Sequence, residues 1–457
     1  MRRPVTGRRA LRAESPTSSR GDGALRILVD HSGYALLNIG DIAMLQACVH
    51  RLRNLWPDAI IHVFTESPDQ LHRYCPEVSA VAPTIVGRRR ASVLPKSGQL
   101  AAEQMWKTAM PLLARSNGAA VSGGAVPLRV LDAVRRADLV VSSGGGFISD
   151  VFWWHGAGVL SVLAMAQRLG KPTAMFGQGL GPVTHPVLSH AVRLTMPKLT
   201  TIGLREQARS TSILRAHGVD LERADVTGDD ALVLATPATR PRAGMAIGMN
   251  VRVASYSSVD TTLASQIVGV ARAAARSRGV ATVALPVSRY AAQSDLRSVQ
   301  SSGDGERNGT DDEFADIRSP EELKASIARC RVVVTGSYHA AVFALAAGIP
   351  AVGITSSSYY DGKFEGLAAL FPGGCQPVRM GPGFEQALTD AIDRAWNTDD
   401  VMRDRIHAAA RTQVARGDDL YARFKSLAAE RVTGTNRPQS VVPTRAAHAV
   451  PTAEDLS

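Results

Sequence analysis

The sequence predicts an α/β protein of two Rossmann-like domains, whose parallel sheets face each other across a cleft. Three observations predict this fold. The chain has 457 residues, which is too long for one ordinary hydrophobic core. Apolar stretches of strand length alternate with helical patterns along most of it. A short, proline-rich and polar segment at 235–244 divides that alternation in two and has the composition of an interdomain linker.

The first part of the chain opens with a strand, a loop and a helix. An apolar run at 25–30 has strand length, and the loop after it leads into a helical pattern at 42–55. Further strands are predicted at 59–65, 138–143, 172–177 and 200–204, with helices at 158–169 and 205–217. Strands that alternate with helices indicate a parallel sheet covered on both faces.

The second part of the chain repeats this pattern. Strands are predicted at 245–251, 281–286, 331–335 and 351–355, and helices at 260–277, 319–328, 340–347, 384–396 and 401–432. The polar, glycine-rich stretch 301–312 is predicted to be a surface loop. The expected organisation is a disordered basic tail (1–24), an N-terminal domain (25–234) with an insertion or lid (88–127), the linker (235–244), a C-terminal domain with terminal helices (245–432) and a second disordered tail (433–457).

The formal net charge of +11 raises the question of nucleic-acid binding. Residues 1–26 contain seven arginines and two carboxylates, so five of the eleven positive units lie in the tail. We expect this tail to be a solvated arm, with weak attraction to an anionic membrane surface as the alternative. The remaining basic excess suits an enzyme with anionic substrates, and no nucleic-acid partner is expected.

Cysteine usage and hydropathy indicate a cytoplasmic protein. Cys48, Cys75, Cys330 and Cys375 are widely scattered without a Cys-x-x-Cys pair, which argues against a zinc site or a disulfide framework. The long apolar run at 340–354 is shorter than the roughly 20 residues that a membrane-spanning helix needs. The tail lacks an apolar stretch of signal-peptide length, so we expect a cytoplasmic location.

The first strand is followed by a motif that could bind a ligand. Folds of this class hold ligands at the carboxyl ends of parallel strands. Asn38, Gly40 and Asp41 lie there, at the start of a helix whose free amides and positive dipole end could hold an anion or a sugar hydroxyl. The alternative is that Asn38 or Asp41 serves only as the N-cap of the helix.

Two glycine-rich segments follow the strands at 138–143 and 172–177. They contain Gly144, Gly145 and Gly146 in the first, and Gln178 and Gly179 in the second. Glycine lets the backbone approach a ligand or a partner domain closely. A tight turn explains either segment alone equally well, but two such segments at successive strand ends favour a ligand crevice.

His339 is the sharpest candidate for proton transfer. It follows the strand at 331–335 in the first turn of a helix, and an imidazole there can act as a general acid near neutral pH. The alternative is a polar residue that caps a helix in the cleft wall. Arg205, Arg252 and Lys363 are candidates for binding a carboxylate or phosphate, although each on its own could be a solvated surface charge.

Taken in order, these segments resemble the polysaccharide pyruvyl transferase family. The resemblance rests on Asn38 to Asp41, Gly144 to Gly146, Gly177 to Pro182, Arg205-Glu206 with Ser210, Thr227-Gly228-Asp229, and Ser337 to Ala340 followed by Gly348-Ile349-Pro350. It covers residues 25–371. The family usually has arginine two residues before the histidine, where this chain has Ser337. Since that arginine is expected to bind the donor, the departure bears on donor identity and on activity.

The resemblance implies phosphoenolpyruvate as donor, a carbohydrate or glycolipid as acceptor and a pyruvate ketal as product, on a GT-B-like fold. It places His339 at proton transfer and the Asn38 to Asp41 loop at the acceptor or donor. The residues it assigns to donor binding are Arg205, Arg252, Ser337, Tyr338 and Lys363. The scheme requires no metal and no cofactor, and the sequence has no visible cluster of metal ligands.

Two other functions are compatible with the sequence. The same architecture hosts glycosyltransferases and sugar-nucleotide epimerases, for which Asp361 and Glu365 are the nearby acidic candidates for a ribose. Ser337 also motivates a third possibility, a carbohydrate-binding protein that has lost its catalytic activity.

Overall fold

The computed structural model describes residues 23–83, 128–242, 244–251, 261–290, 295, 313–314 and 317–434. Within them the chain forms two parallel β-sheets flanked by helices, which confirms the predicted α/β class. The predicted insertion at 88–127, the loop at 301–312, nearly all of both predicted tails, and Arg252 lie outside the described residues.

The first sheet is a doubly wound parallel sheet. Its strands are β1 (Arg26–Asp30), β2 (Ile60–Phe64), β3 (Ser79–Val81), β4 (Leu139–Ser142), β5 (Gly145–Ile148), β6 (Thr173–Leu180), β7 (Thr201–Leu204) and β8 (Ala224–Val226). Their order is β3-β2-β1-β4-β6-β7-β8, with β5 paired to β6. The order reverses between β1 and β4, and a ligand crevice is expected outside the carboxyl ends of strands at such a point.

The second sheet repeats the design with a different strand order. Its strands are β9 (Ala246–Asn250), β10 (Thr282–Ala284), β11 (Glu313–Phe314), β12 (Cys330–Thr335), β13 (Ala351–Thr355) and β14 (Cys375–Arg379). The order is β11-β10-β9-β12-β13-β14, and the paired strands are all parallel.

The helices cover both faces of each sheet. Those that follow strands of the first sheet are α1 (Ile39–Leu55), α2 (Pro68–Tyr74), α3 (Leu128–Arg136), α4 (Trp153–Arg168), α5 (Pro186–Thr195), α6 (Ala208–Ala216) and α7 (Leu232–Ala235). Those of the second half are α8 (Thr261–Ser277), α9 (Pro320–Ala328), α10 (Tyr338–Ala346), α11 (Ser358–Leu370), α12 (Phe384–Trp396) and α13 (Asp400–Gly434). None of the helices in the described part of the chain is both long enough and apolar enough to cross a membrane.

The central strands of each sheet are largely apolar because both of their faces are buried, whereas the edge strands β3, β8 and β14 are partly exposed. In β4, Val140 packs into one apolar cluster while Leu139 and Val141 pack into another on the opposite face. Successive side chains of a strand point to opposite faces, so a strand between two helical layers needs apolar residues at every position. This is the pattern from which the sequence predicted the strands.

The last helix, α13, joins the two halves of the chain. The sequence assigned 401–432 to the C-terminal domain, whereas the second half of α13 packs on the first sheet. Leu420, Tyr421 and Phe424 belong to the apolar cluster on one face of that sheet. The Tyr421 ring stacks on the Phe176 ring of β6 with centroids 3.6 Å apart. The predicted domain limits stay a prediction, but α13 belongs to both halves.

Two segments predicted as glycine loops are strands in the structure. β5 begins at Gly145, and β6 continues through Gln178 to Leu180 rather than ending at Gly177. Gly145 pairs with Gln178, and the register shifts before Ile148 pairs with Leu180. The Gln178 amide nitrogen also donates to the Gly145 carbonyl (2.8 Å), and this bond ties the two strand ends together. Backbone pairing therefore extends the sheet into the region where glycines suggested turns.

Candidate functional site

A pocket lies where the carboxyl ends of the first sheet meet the second half of the chain. The ends of β5, β6 and β7 form one wall, and the starts of α10 and α11 form the other. The lining residues are Gly146, Gly179, Leu180, Gly181, Arg205, Glu206, Arg209, Tyr338, Tyr359, Gly362 and Lys363. The space open to the centres of water molecules is only about 30 Å³, so the pocket is narrow.

The start of α1 is built around Asn38. Its side-chain oxygen accepts hydrogen bonds from the N–H groups of Gly40 (3.0 Å) and Asp41 (3.3 Å), so Asn38 is the N-cap of the helix. The cap explains why α1 begins at Ile39, three residues before the predicted helix. It also holds Gly40 at a fixed position in front of α10.

Gly40 lies directly against the ring of His339. A Cβ atom built on Gly40 would come within 2.0 Å of Cγ and Nδ1 of His339, so only glycine fits there. His339 is the second residue of α10, and its side chain is 11% exposed. The starts of α1 and α10, far apart in sequence, therefore face each other beside the pocket.

Backbone hydrogen bonds hold the two halves together next to this contact. The Ile39 N–H donates to the Val287 carbonyl (2.9 Å), and the Arg289 N–H donates to the Leu37 carbonyl (2.8 Å). The segment that follows β10 thus forms a short antiparallel pair with the loop that precedes α1. This pairing fixes the distance between the two helix starts.

Asp229 connects Arg205 with His339. Its Oδ2 atom lies 2.8 Å from Nε of Arg205 and 3.7 Å from Nε2 of His339. The single Nε–H of Arg205 donates to the Gly177 carbonyl (3.0 Å), so its contact with Asp229 is an ion pair, and the guanidinium lies over the Tyr338 ring. Arg205 and Asp229 are both almost fully buried. An imidazole beside a buried carboxylate can hold and release a proton in this position.

Burial and charge pairing act in opposite directions on this ion pair. Burial lowers the pKa of the Arg205 guanidinium, but Asp229 and Tyr338 more than offset this effect, so the pKa lies above its ordinary value. Burial raises the pKa of the Asp229 carboxyl, although Arg205 acts against that shift. The close guanidinium and the Ala231 N–H, which donates to Asp229 (2.8 Å), both favour the carboxylate. We therefore take the pair as charged at neutral pH.

Arg209 and Lys363 bring further positive charge to the pocket. The Arg209 guanidinium reaches across the cleft, donates to the Ser358 carbonyl (2.9 Å) and packs against Gly362. Lys363 Nζ lies 4.0 Å from the centroid of the Tyr359 ring. Together with Arg205, these two cations give the pocket three cationic side chains in its lining, beside the carboxylate of Glu206.

Glu206 has a structural role in this wall. Its carboxylate accepts from the N–H groups of Arg209 (2.9 Å) and Ser210 (2.7 Å) and from the Ser210 hydroxyl, and so caps α6. The helix therefore begins at Ala208, and Arg205, predicted to open it, lies in the turn before it. The Ser210 hydroxyl in turn accepts from the Leu180 N–H (3.3 Å), which ties α6 to the end of β6.

The glycines of the two predicted loops have different roles. A Cβ on Gly144 would lie 2.3 Å from the Gly177 carbonyl oxygen, and one on Gly145 would meet the Phe147 ring, so both are required by packing within the first half. Gly146 instead faces Lys363 of the other half, and both Gly146 and Gly179 line the pocket.

Of the predicted site residues, Gly146, Gly179, Arg205, Tyr338 and Lys363 line the pocket, and Gly40 and His339 lie beside it. Ser337 is 2% exposed and does not line the pocket, since its N–H donates to the Thr335 hydroxyl (2.8 Å) at the start of α10. Arg252 lies outside the described residues. Asp361, a candidate for binding a ribose, is paired with Arg379, and Glu365 is exposed.

Sequence reasoning missed three residues of the site as individual candidates. Asp229 belongs to a quoted motif, but no role was assigned to it. Arg209 lies four residues after Arg205, and this spacing signals a shared side of the turn and helix start. Tyr359 carries no pattern of its own, and only the fold places it opposite Gly146, to whose carbonyl its hydroxyl donates (3.2 Å).

Solved structures share this fold at low sequence identity. A putative UDP-N-acetylglucosamine 2-epimerase from Listeria monocytogenes is 12% identical, with 92% of this chain and 100% of that chain covered and a TM-score of 0.57. A UDP-glucosyltransferase from Polygonum tinctorium is 11% identical, with 89% and 99% covered and a TM-score of 0.55. The glycotransferase of kitacinnamycin is 13% identical, with 90% and 100% covered and a TM-score of 0.53. These similarities show the fold alone and confirm the GT-B-like arrangement.

No curated protein sequence matches the chain. The family model of polysaccharide pyruvyl transferases matches residues 38–358, which is more than half of the sequence and includes every glycine-rich segment, Arg205, Asp229 and His339. This match agrees with the resemblance based on the ordered motifs. The chain therefore belongs to the polysaccharide pyruvyl transferase family.

Proposed function

We propose that the protein transfers a pyruvyl group from phosphoenolpyruvate to two hydroxyls of a carbohydrate acceptor and forms a pyruvate ketal. The observation that carries this proposal is the pocket, in a chain of this family, where Arg209 and Lys363 lie within the same small volume as the Arg205–Asp229 pair. A donor with a carboxylate and a phosphate needs several cationic contacts at close range.

The proposed reaction balances without a metal or a redox partner. A proton adds to the methylene carbon of phosphoenolpyruvate and makes it a methyl group, while positive charge develops at the neighbouring carbon. One acceptor hydroxyl attacks that carbon, the bond from carbon to the phosphate oxygen breaks, and a second hydroxyl completes the ketal. Of the two hydroxyl protons, one replaces the proton given to the methylene carbon and the other leaves with phosphate.

His339 is the proposed proton carrier in this reaction. Its Nε2 atom faces Asp229 at 3.7 Å, and the carboxylate stabilises an imidazolium before it donates its proton. Gly40 fixes the opposite side of the ring. A ring held between a carboxylate and a helix start has one orientation, which is what proton transfer to a defined carbon atom requires.

The proposed donor contacts are Arg209 and Lys363, with Arg205 as the buried wall behind them. The charge of Arg205 is shared with Asp229, so its contribution is a hydrogen bond rather than a full unpaired charge. Arg252, Ser337 and Tyr338 remain candidates for donor binding. The segment from Asn38 to Asp41 stays a candidate for orienting the acceptor or the donor through the positive end of the α1 dipole, because its first N–H groups already donate to Asn38 and Val287.

The test is the release of inorganic phosphate from phosphoenolpyruvate in the presence of free and lipid-linked sugars. We expect phosphate release that depends on an acceptor, together with a mass increase of the acceptor that matches one ketal. UDP-glucose and UDP-N-acetylglucosamine serve as comparison donors. Turnover of a sugar nucleotide without turnover of phosphoenolpyruvate would replace this proposal with a glycosyltransferase or epimerase activity.

A further inference from the structure

A group of aromatic side chains lies beside the pocket and has no role in the reaction proposed above. Phe152, Trp153 and Trp154 follow β5 directly, and His185 lies next to them at the start of α5; we call these four residues the aromatic ledge. The three bulky side chains are half-buried, with Phe152 and Trp153 packed in part against the apolar core, and the adjacent Val151 is 36% exposed. Two of the five tryptophans of the chain occur here side by side.

The aromatic ledge is held rigidly. The Asp150 carboxylate accepts from the N–H (2.8 Å) and hydroxyl (2.6 Å) of Thr184 and from the N–H of His185 (2.8 Å). The rings of Trp153 and His185 stack with centroids 4.2 Å apart and planes 9° from parallel. A surface whose rings are fixed before binding loses little conformational entropy when a ligand arrives.

The aromatic ledge is continuous with the pocket. The Phe152 ring meets the Tyr359 ring edge to face, with centroids 6.4 Å apart. Tyr359 lines the pocket and donates to the carbonyl of Gly146, another pocket residue. A molecule that reacts in the pocket and extends outward past Tyr359 would meet Phe152 first, and Trp153 and Trp154 follow Phe152 directly in the chain.

The chemistry of the indoles suits a sugar ring. Neither the Trp153 nor the Trp154 N–H has a hydrogen-bond acceptor among the residues that the structure describes. An indole presents an apolar face and one polar donor. A pyranose ring matches it, because its axial C–H groups form an apolar face and its hydroxyls accept hydrogen bonds at the rim.

We propose that the aromatic ledge binds a pyranose ring of the carbohydrate acceptor, next to the sugar that reacts. This inference rests on the proposed function in that the acceptor is a carbohydrate. A lipid surface is the competing occupant of exposed tryptophans, but segments 149–155 and 184–186 contain no lysine or arginine. Helices that bind at membrane interfaces are rich in both.

The experiment measures sugar binding without any donor, by saturation-transfer NMR and calorimetry with cellotetraose, mannotetraose, galactotetraose and chitotetraose. We expect the parent to bind at least one of them and Trp153→Leu and Trp154→Leu each to weaken that binding about 3- to 10-fold, the scale of one aromatic contact. Trp153→Phe, which keeps a ring but loses the N–H, should fall between Trp153→Leu and the parent.

Trp396→Leu is the matched control, since Trp396 is a half-buried tryptophan in α12 that packs on Arg278 and Arg331 of the second half. It should leave sugar binding unchanged, and circular dichroism checks that every variant is folded. The proposal is overturned if the parent binds none of the oligosaccharides, if the Trp153 and Trp154 variants bind as tightly as the parent, or if only phosphatidylcholine vesicles bind through these residues. Because phosphoenolpyruvate is absent, sugar binding can succeed while the donor assay fails, and the reverse.

Discussion

Asp229 and Asp230 are neighbours in one loop, yet their carboxylates pair with different arginines in different surroundings. Asp229 lies behind the pocket wall, where it pairs with the lining residue Arg205 and approaches His339. Asp230 faces inward, where its carboxylate accepts from Nη1 of Arg51 (2.9 Å) and from the Tyr421 hydroxyl (2.7 Å). The two ion pairs are almost equally short and equally buried.

The surroundings of the two pairs distinguish their functions. Arg51 is buried against α13: Nε donates to Asp418, a residue at the surface, and Nη2 donates to the Val414 carbonyl. Arg205 instead forms a wall of an open pocket and lies over Tyr338. A buried ion pair enclosed by protein fixes a helix, whereas one that borders a cavity can respond to a ligand's charge. Burial and distance alone would not separate them.

The largest effect is expected on turnover, from a substitution of His339 beside the pocket. We expect His339→Gln to lower turnover by about 10² to 10⁴ and to leave donor affinity nearly unchanged, since proton transfer acts in the transition state. Steady-state kinetics and calorimetry with phosphoenolpyruvate measure the two quantities. An equal loss of donor affinity would mean that His339 binds the donor rather than moving a proton.

A substitution of Asp230, in contrast, should affect the stability of the fold. Removing one partner of a buried pair leaves an uncompensated charge, so Asp230→Ala should lower the free energy of unfolding by about 3 to 5 kcal/mol in urea titrations. The control is Asp225→Ala, which removes the half-exposed pair between β8 and Arg423 of the same helix α13 and should cost less than about 1 kcal/mol. Similar losses for both variants would show that Asp230 does not hold α13 in place.

Charge at the pocket should affect donor binding by a smaller amount. Arg205→Ala and Arg209→Ala should each weaken the binding of phosphoenolpyruvate by about 1.5 to 3 kcal/mol, the scale of a hydrogen bond to a charged group. Arg215→Ala, which removes an exposed cation from the last turn of the same helix α6, is the control for net charge. If all three variants bind the donor as the parent does, the donor lies elsewhere.

Sequence patterns predicted the central strands of both sheets because those strands are buried on both faces and largely apolar. They missed the edge strands β3, β8, β11 and β14, of which β3, β8 and β14 are partly exposed. They predicted β5 and the end of β6 wrongly, since pairing between two glycine-rich segments depends on the neighbouring strand and on Gln178. They also gave no signal that α13 returns to the first sheet. That docking depends on Arg51 and Asp230, which are separated from Tyr421 by hundreds of positions along the chain.

The candidate site was predictable where a motif follows a strand, as for Asn38, Gly40, Arg205 and His339. It was not predictable where two neighbouring residues of the same type have different roles. Nothing local in the sequence distinguishes Asp229 from Asp230, because both are aspartates in one turn and only the fold decides which of them meets Arg205. Tyr359 and Arg209 enter the site in the same way, through the approach of the two halves.

The smallest effect is expected from Ser337→Arg, which introduces the residue that the family usually has. Ser337 is 2% exposed at the start of α10, so a long side chain must leave that position and lay its charged end in the cleft. Overpacking costs about 1 to 3 kcal/mol, which offsets most of the 1.5 to 3 kcal/mol that a charged hydrogen bond adds. We therefore expect donor affinity to rise by about tenfold at most, measured by calorimetry with phosphoenolpyruvate. Ser337→Ala, measured alongside, shows how much the serine hydroxyl itself contributes. Weaker donor binding in Ser337→Arg alone would mean that Arg209 and Lys363 already occupy the space of the family's arginine.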